Sequence, residues 1–129
     1  MARTKWNNGE WTVGRYNAFV TSALRAAARR WPPKFRVLAK AMVGSFVNPK
    51  TGRKALHYKC AKCAEVFPGK EVQVDHKKPV IAKEGFVNWD TYIDRLFCED
   101  SNLQVLCLSC HLEKSKEERK ERKSVKALD

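Results

Sequence analysis

Leu103-Gln104-Val105-Leu106-Cys107-Leu108-Ser109-Cys110-His111 is the stretch whose reading decides the fold. Leu103, Val105 and Leu106 form a short apolar strand. The strand enters a Cys107-x-x-Cys110 knuckle, and His111 opens a highly charged helix running to about Lys126. A second knuckle, Cys60-Ala61-Lys62-Cys63, completes the set. Two such pairs put four thiolates at the corners of a tetrahedron, which suits Zn²⁺ at about 2.3 Å per bond. Four protein ligands leave no open position, so this zinc is expected to be structural and the small core to depend on it. A redox CxxC needs only one pair, and an iron–sulfur cluster also fits the spacing. The 43 residues between Cys63 and Cys107 exceed the roughly 15–20 of a plain zinc ribbon. That segment is therefore an insertion with work of its own. Cys98 is the odd cysteine and reads as a buried free thiol on the apolar side of a helix.

Outward from the knuckles, Val72 and Val74 alternate with polar neighbours in a strand ending at Asp75-His76. Residues 77–87 read as a loop. Residues 89–97 read as a helix with Trp89, Tyr92, Ile93, Leu96 and Phe97 on one face. Lys54 to Lys59 is a strand leading into Cys60, and His57 within it reads as packing rather than a ligand. Residues 48–52 make a turn. Residues 15–31 form a helix on which Tyr16, Phe19, Val20, Ala23, Leu24 and Ala27 repeat at three and four. Pro32-Pro33 stops it. Proline then opens a second helix over 33–43, with Gly44 as its C-terminal signal. Residues 1–14 read as irregular. The four tryptophans read as packing residues, although Trp6 and Trp11, in the loose arm, could touch DNA.

The chain has 129 residues and a net charge of +12, which favours a polyanionic partner. The charge is one-sided. Residues 1–59 hold 13 Lys and Arg and one acid, Glu10, whereas residues 60–129 hold 13 of each sign. The expected division is a basic, largely helical extension over 1–56 and a compact core over 57–129. Arg15, Arg25, Arg29, Arg30, Lys34, Arg36, Arg53 and Lys54 are the candidate nucleic-acid contacts. No apolar run of about 18 residues is present, so no membrane span is expected. No signal peptide is visible, and a disulfide framework is not expected.

The metal brings a second group of residues together. Asp75-His76 ends one strand, Asn102 precedes another, and His111 follows the last cysteine. Such a cluster binds a hard divalent cation through oxygen and imidazole and keeps a second imidazole as a base. The string Cys60-x-x-Cys63, Asp75-His76-x-x-Pro79, Asn102-Leu103-Gln104, Cys107-x-x-Cys110-His111-x-x-Lys114 resembles the HNH endonucleases of the zinc-containing ββα-metal type. The resemblance spans residue 57 to about 115. More loosely, Trp31-Pro32-Pro33 and the run from Gly52 to Cys60 resemble small free-standing, homing-like HNH proteins of tailed bacteriophages. Lys77 stands where that family usually has an apolar residue, and Ser115 where threonine is common.

The resemblance implies an α+β fold: a small zinc-pinned ββα-metal core, a helical basic N-terminal extension and a charged C-terminal helix. It implies hydrolysis of DNA phosphodiester bonds, by nicking or double-strand cleavage, with His76 as general base. Asp75 and His111 would hold a catalytic Mg²⁺ or Mn²⁺, and Cys60, Cys63, Cys107 and Cys110 the structural zinc. Asn102 would either ligate metal or orient the base, and Lys114 would contact phosphate. The implied partner is double-stranded DNA in a bacterial host cytoplasm, with no organic cofactor. A packaging protein or a second copy of the chain is left open. A non-catalytic zinc module explains the charge and the cysteines but leaves Asp75, His76, Asn102 and His111 unused. A zinc deaminase lacks its signature here, since Lys77-Lys78 follow His76 and Leu106 precedes Cys107.

Overall fold

A computed structural model describes residues 5–82 and 85–128. Residues 1–4 of the expected irregular start and residues 83–84 of the expected loop lie outside it. The fold is α+β, with four α-helices and two small antiparallel sheets among the described residues. Among the described residues, no helix is long and apolar enough to cross a membrane.

The chain divides into two units, Met1–Trp31 and Pro32–Asp129. In the first, Trp6–Gly9 is a short 3-10 turn and Val13–Ala28 is helix α1. Thr12 caps α1, its hydroxyl accepting the Arg15 N–H at 3.1 Å. Trp6 stacks on Tyr16 with centroids 4.3 Å apart, and Trp11 meets Phe19 edge-on at 5.2 Å. The expected DNA-touching tryptophans therefore pack on α1.

The second unit begins with α2, Pro32–Ala41, followed directly by β1, Met42–Val47. β1 pairs with β2, Lys54–Lys59, which pairs with β3, Val66–Pro68. This corrects two expectations. Gly44 is not a helix cap: it sits in β1 at φ 146°, where the register shifts and the strand bulges. The boundary expected at 56/57 falls inside this unit, because β1 and β2 form one hairpin. Asn48 closes that hairpin. Its side-chain oxygen accepts the Lys50 N–H at 3.0 Å, and its carbonyl accepts the N–H groups of Thr51 and Gly52.

The second sheet pairs β4, Val72–His76, with β5, Leu103–Cys107. Helix α3, Trp89–Leu96, lies between them in sequence and is capped by the Asn88 side chain. Helix α4, Leu108–Leu128, follows β5 without a break and so starts three residues before the expected His111. Helices α2 and α4 both pack on β4 and β5, and β2 touches β5. Cys60 and Leu106 are wholly buried where the elements meet.

Arg36 ties α2 to the entry of β5. Its guanidinium grips the Asp100 carboxylate through two hydrogen bonds, at 2.9 and 3.2 Å. The Arg36 hydrogen bonds hold the Asp100 carboxyl below its usual pKa. A lowered carboxylate pKa contributes stability above the unfolded value and loses it as pH falls through the folded one. Asp100→Asn should therefore lower the urea midpoint modestly at pH 7, and the difference from wild type should shrink as pH falls through the carboxyl's lowered folded value. A gap that persists at low pH would remove the ion pair as its source.

Candidate metal centre and the adjoining polar cluster

The cysteine cluster is assembled by four local devices. Strand β2 delivers Cys60, whose N–H donates to the Glu65 carbonyl while Ala64 N–H donates to the Cys60 carbonyl. Ala64 adopts φ 64°, the left-handed turn that closes this knuckle. Ala61 N–H donates to the Val105 carbonyl at 2.8 Å, docking the first knuckle on β5. Cys107 ends β5, and Cys110 lies one turn into α4, with its N–H 3.5 Å from Cys107 Sγ.

The four sulfurs of Cys60, Cys63, Cys107 and Cys110 all lie within 4.8 Å of one another. Cys63 and Cys107 Sγ are 4.0 Å apart. A tetrahedral thiolate site with 2.3 Å bonds has edges of about 3.8 Å, so the set fits a metal such as zinc. Burial works against the Cys60 thiolate, but backbone hydrogen bonds from Cys107, Cys63 and Lys62 outweigh it and bring the thiol down to about 6. Hydrogen bonding to Cys107, then burial, pushes Cys110 up to about 12. The cluster thus ionises readily once, and its later protons come off only against accumulated negative charge. Leu106 and Phe67 pack around it. His57 is turned elsewhere, its Nδ1 2.9 Å from the Ala55 carbonyl and its ring edge-on to Phe46. Cys98 lies just past α3 and is half-buried.

A polar cluster adjoins the sulfurs. On α4, His111, Lys114 and Glu118 follow at three and four and share a face. That face meets Asp75, which is nine-tenths buried. His111 Nε2 lies 3.6 Å from Asp75 Oδ1, and Lys114 Nζ lies 3.2 Å from Asp75 Oδ2. Lys114 also donates to the His76 carbonyl at 2.8 Å and bonds Glu118. Burial pulls the Lys114 ammonium down, but its bonds to Glu118 and Asp75 win, and its pKa rises. Lys114 is thus built into the cluster instead of standing ready for phosphate.

Alternation along β4 sends Asp75 and His76 to opposite faces. His76 Nε2 sits 2.9 Å from the Leu96 carbonyl at the end of α3. A carbonyl only accepts, so in the neutral ring Nε2 carries the proton and Nδ1 the lone pair. Asn102 holds the chain after β4: its side-chain oxygen accepts the Lys78 N–H at 3.0 Å and its carbonyl accepts the Lys77 N–H at 2.8 Å. The structure thus joins Asp75 to His111 and leaves Asn102 engaged with the loop. Of the candidate cations, Arg15, Arg25, Arg29 and Arg30 belong to the first unit. Lys34 and the paired Arg36 lie on α2, Arg53 just before β2 and Lys54 at its start.

Two contributors escaped the sequence reading. Gln104 donates to Asp75 Oδ2 at 3.2 Å from directly across the strand pair. Glu118 completes the Lys114 contacts. Gln104 was legible in the cross-strand register, and Glu118 in its spacing of four from Lys114.

No family model, curated protein or solved structure matches this chain.

Cys60→Ser should abolish binding of one metal ion per chain and unfold the second unit. Elemental analysis with circular dichroism checks both. A folded Cys60→Ser protein without metal would show that the core stands without it.

Proposed function

We propose that the chain is a metal-dependent DNA endonuclease of the HNH kind. Its core would be the β4–β5–α4 element, a ββα-metal motif pinned by a structural zinc at the four cysteines. The observation that carries the reading is the Asp75–His111 pair, 3.6 Å apart and set directly beside the cysteine cluster. Asp75 Oδ1 and His111 Nε2 are an oxygen and an imidazole nitrogen at a separation suited to sharing one divalent cation. Mg²⁺ needs few protein ligands because it keeps several waters. A cation held there supplies neutralisation of charge on the scissile phosphate and the departing 3′ oxygen.

The remaining steps belong to the chain. Lys114 and Gln104 hold Asp75 Oδ2, which leaves Oδ1 turned toward His111. The Leu96 carbonyl holds the His76 ring through Nε2, and His76 would take the proton of the attacking water. Asn102 sets the path of the chain beyond His76. The first unit carries six Lys and Arg against Glu10 and supports backbone contacts that carry no sequence information. The softer resemblance to phage proteins supports a phage origin.

Supercoiled plasmid should be nicked or cut with Mg²⁺ or Mn²⁺ and left intact without added divalent cation. His76→Ala should slow the reaction about 10²–10⁴-fold. A variant as fast as wild type would remove His76 as the base.

Removing residues 1–31 leaves the second unit whole. It should weaken duplex binding and flatten its salt dependence. An unchanged slope in a filter-binding titration would take the first unit out of DNA binding.

A further inference from the structure

The basic charge has a second centre. Residues 32–59 carry seven Lys and Arg and no acid. Part of it is consumed locally: Arg36 by Asp100, and Lys50 by Glu71 at 2.5 Å. Arg53 and Lys54 are spent differently. With Lys70 they line a groove of about 640 Å³ on the three-stranded sheet, whose lining contains no acidic residue. Among the described residues none of these three cations is ion-paired, and the neighbouring acid, Glu71, is already taken by Lys50.

The floor of the groove is apolar and aromatic. Alternation along β2 puts Lys54, Leu56 and Tyr58 on one face, and all three line the groove. Leu56 is half exposed. Gly69, also in the lining, lies against the Tyr58 ring. A Cβ at position 69 would stand 3.3 Å from Tyr58 Cε2, so a side chain there would crowd the ring. The volume is within the roughly 300–1,000 Å³ of small-ligand sites. Three cations around an aromatic and aliphatic floor match a phosphate joined to a sugar and a base. An acidic peptide would use the cations but not the ring.

We propose that this groove binds an unpaired nucleotide of a DNA strand, its phosphate among Arg53, Lys54 and Lys70 and its base on Tyr58. The choice of DNA rests on the endonuclease reading. Lys70 and Asp75 are five positions apart, a span of at most about 18 Å when fully extended. At about 3.4 Å per nucleotide, the groove would lie within some five nucleotides of the Asp75 cluster on the same strand.

The test uses the full zinc-loaded chain carrying His76→Ala, without added Mg²⁺, and a fluorescein-labelled twelve-nucleotide thymidine strand followed by anisotropy. Arg53→Ala and Lys70→Ala, both at exposed positions, should each weaken binding about three- to tenfold at low salt. Each should lower the salt slope by about 0.7. Tyr58→Leu should weaken binding about fivefold or more, and Tyr58→Phe should restore it. Circular dichroism and zinc content check that each variant is folded. Arg53→Ala and Lys70→Ala binding within twofold of the parent, with its slope, would overturn the groove. Tighter binding of a polyglutamate peptide than of the strand would overturn the choice of DNA. If wild type cuts plasmid while the groove variants bind unchanged, the groove alone falls. If binding depends on the groove but wild type never cuts, the endonuclease reading falls and the groove stands.

Discussion

Four sulfur atoms held within 4.8 Å of one another are a severe electrostatic constraint. Each thiolate formed makes the next more costly, and only a cation at the centre removes the penalty. The second unit is arranged around that demand. Strand β2 must end beside the end of β5, and α4 must begin there too, or the sulfurs cannot meet. The Ala61–Val105 hydrogen bond and the burial of Cys60 and Leu106 are the packing side of the same convergence.

The polar cluster inherits its geometry from the sulfurs. Cys110 fixes the rotation of α4 about its axis, and the next residue, His111, is thereby turned toward Asp75. Lys114 and Glu118 follow on the same helical face. Small changes in the knuckle would therefore be felt as misalignment of His111 against Asp75, one residue away from any sulfur. His76 is governed separately, through the end of α3. The two halves of the proposed chemistry thus hang on different elements, while Asn102 is bonded to the chain just after β4.

Much of this was legible in the sequence, and the failures have definite causes. The cysteine spacing announced the cluster because tetrahedral geometry leaves few alternatives. Strands β4 and β5 and helix α3 announced themselves by their apolar pattern, and β2 by its place before Cys60. Strand β1 did not. Its residues are mostly exposed, so no alternation marks it, and Gly44 imitates a helix terminator. Its identity comes from pairing with β2 across the Asn48 turn, a non-local cause. The domain boundary was misplaced for the same reason, since charge counts cannot see a hairpin. Lys114 was expected to contact phosphate, and its place in the cluster was not legible because its acceptors, Asp75 and the His76 carbonyl, lie 39 and 38 residues away in the chain.

The long separation of the knuckles has a consequence for how freely this chain can vary. One ion held by the four cysteines would tie Cys63 to Cys107 across 43 intervening residues. The entropy of closing a loop grows only with the logarithm of its length. Lengthening the segment between the knuckles by a dozen residues would therefore cost only about 0.2 kcal/mol in closure. An insertion between β4 and α3 is thus thermodynamically cheap, provided the Leu96 carbonyl still reaches His76. That segment is where the architecture can acquire new recognition surfaces without disturbing the sulfurs that hold it together.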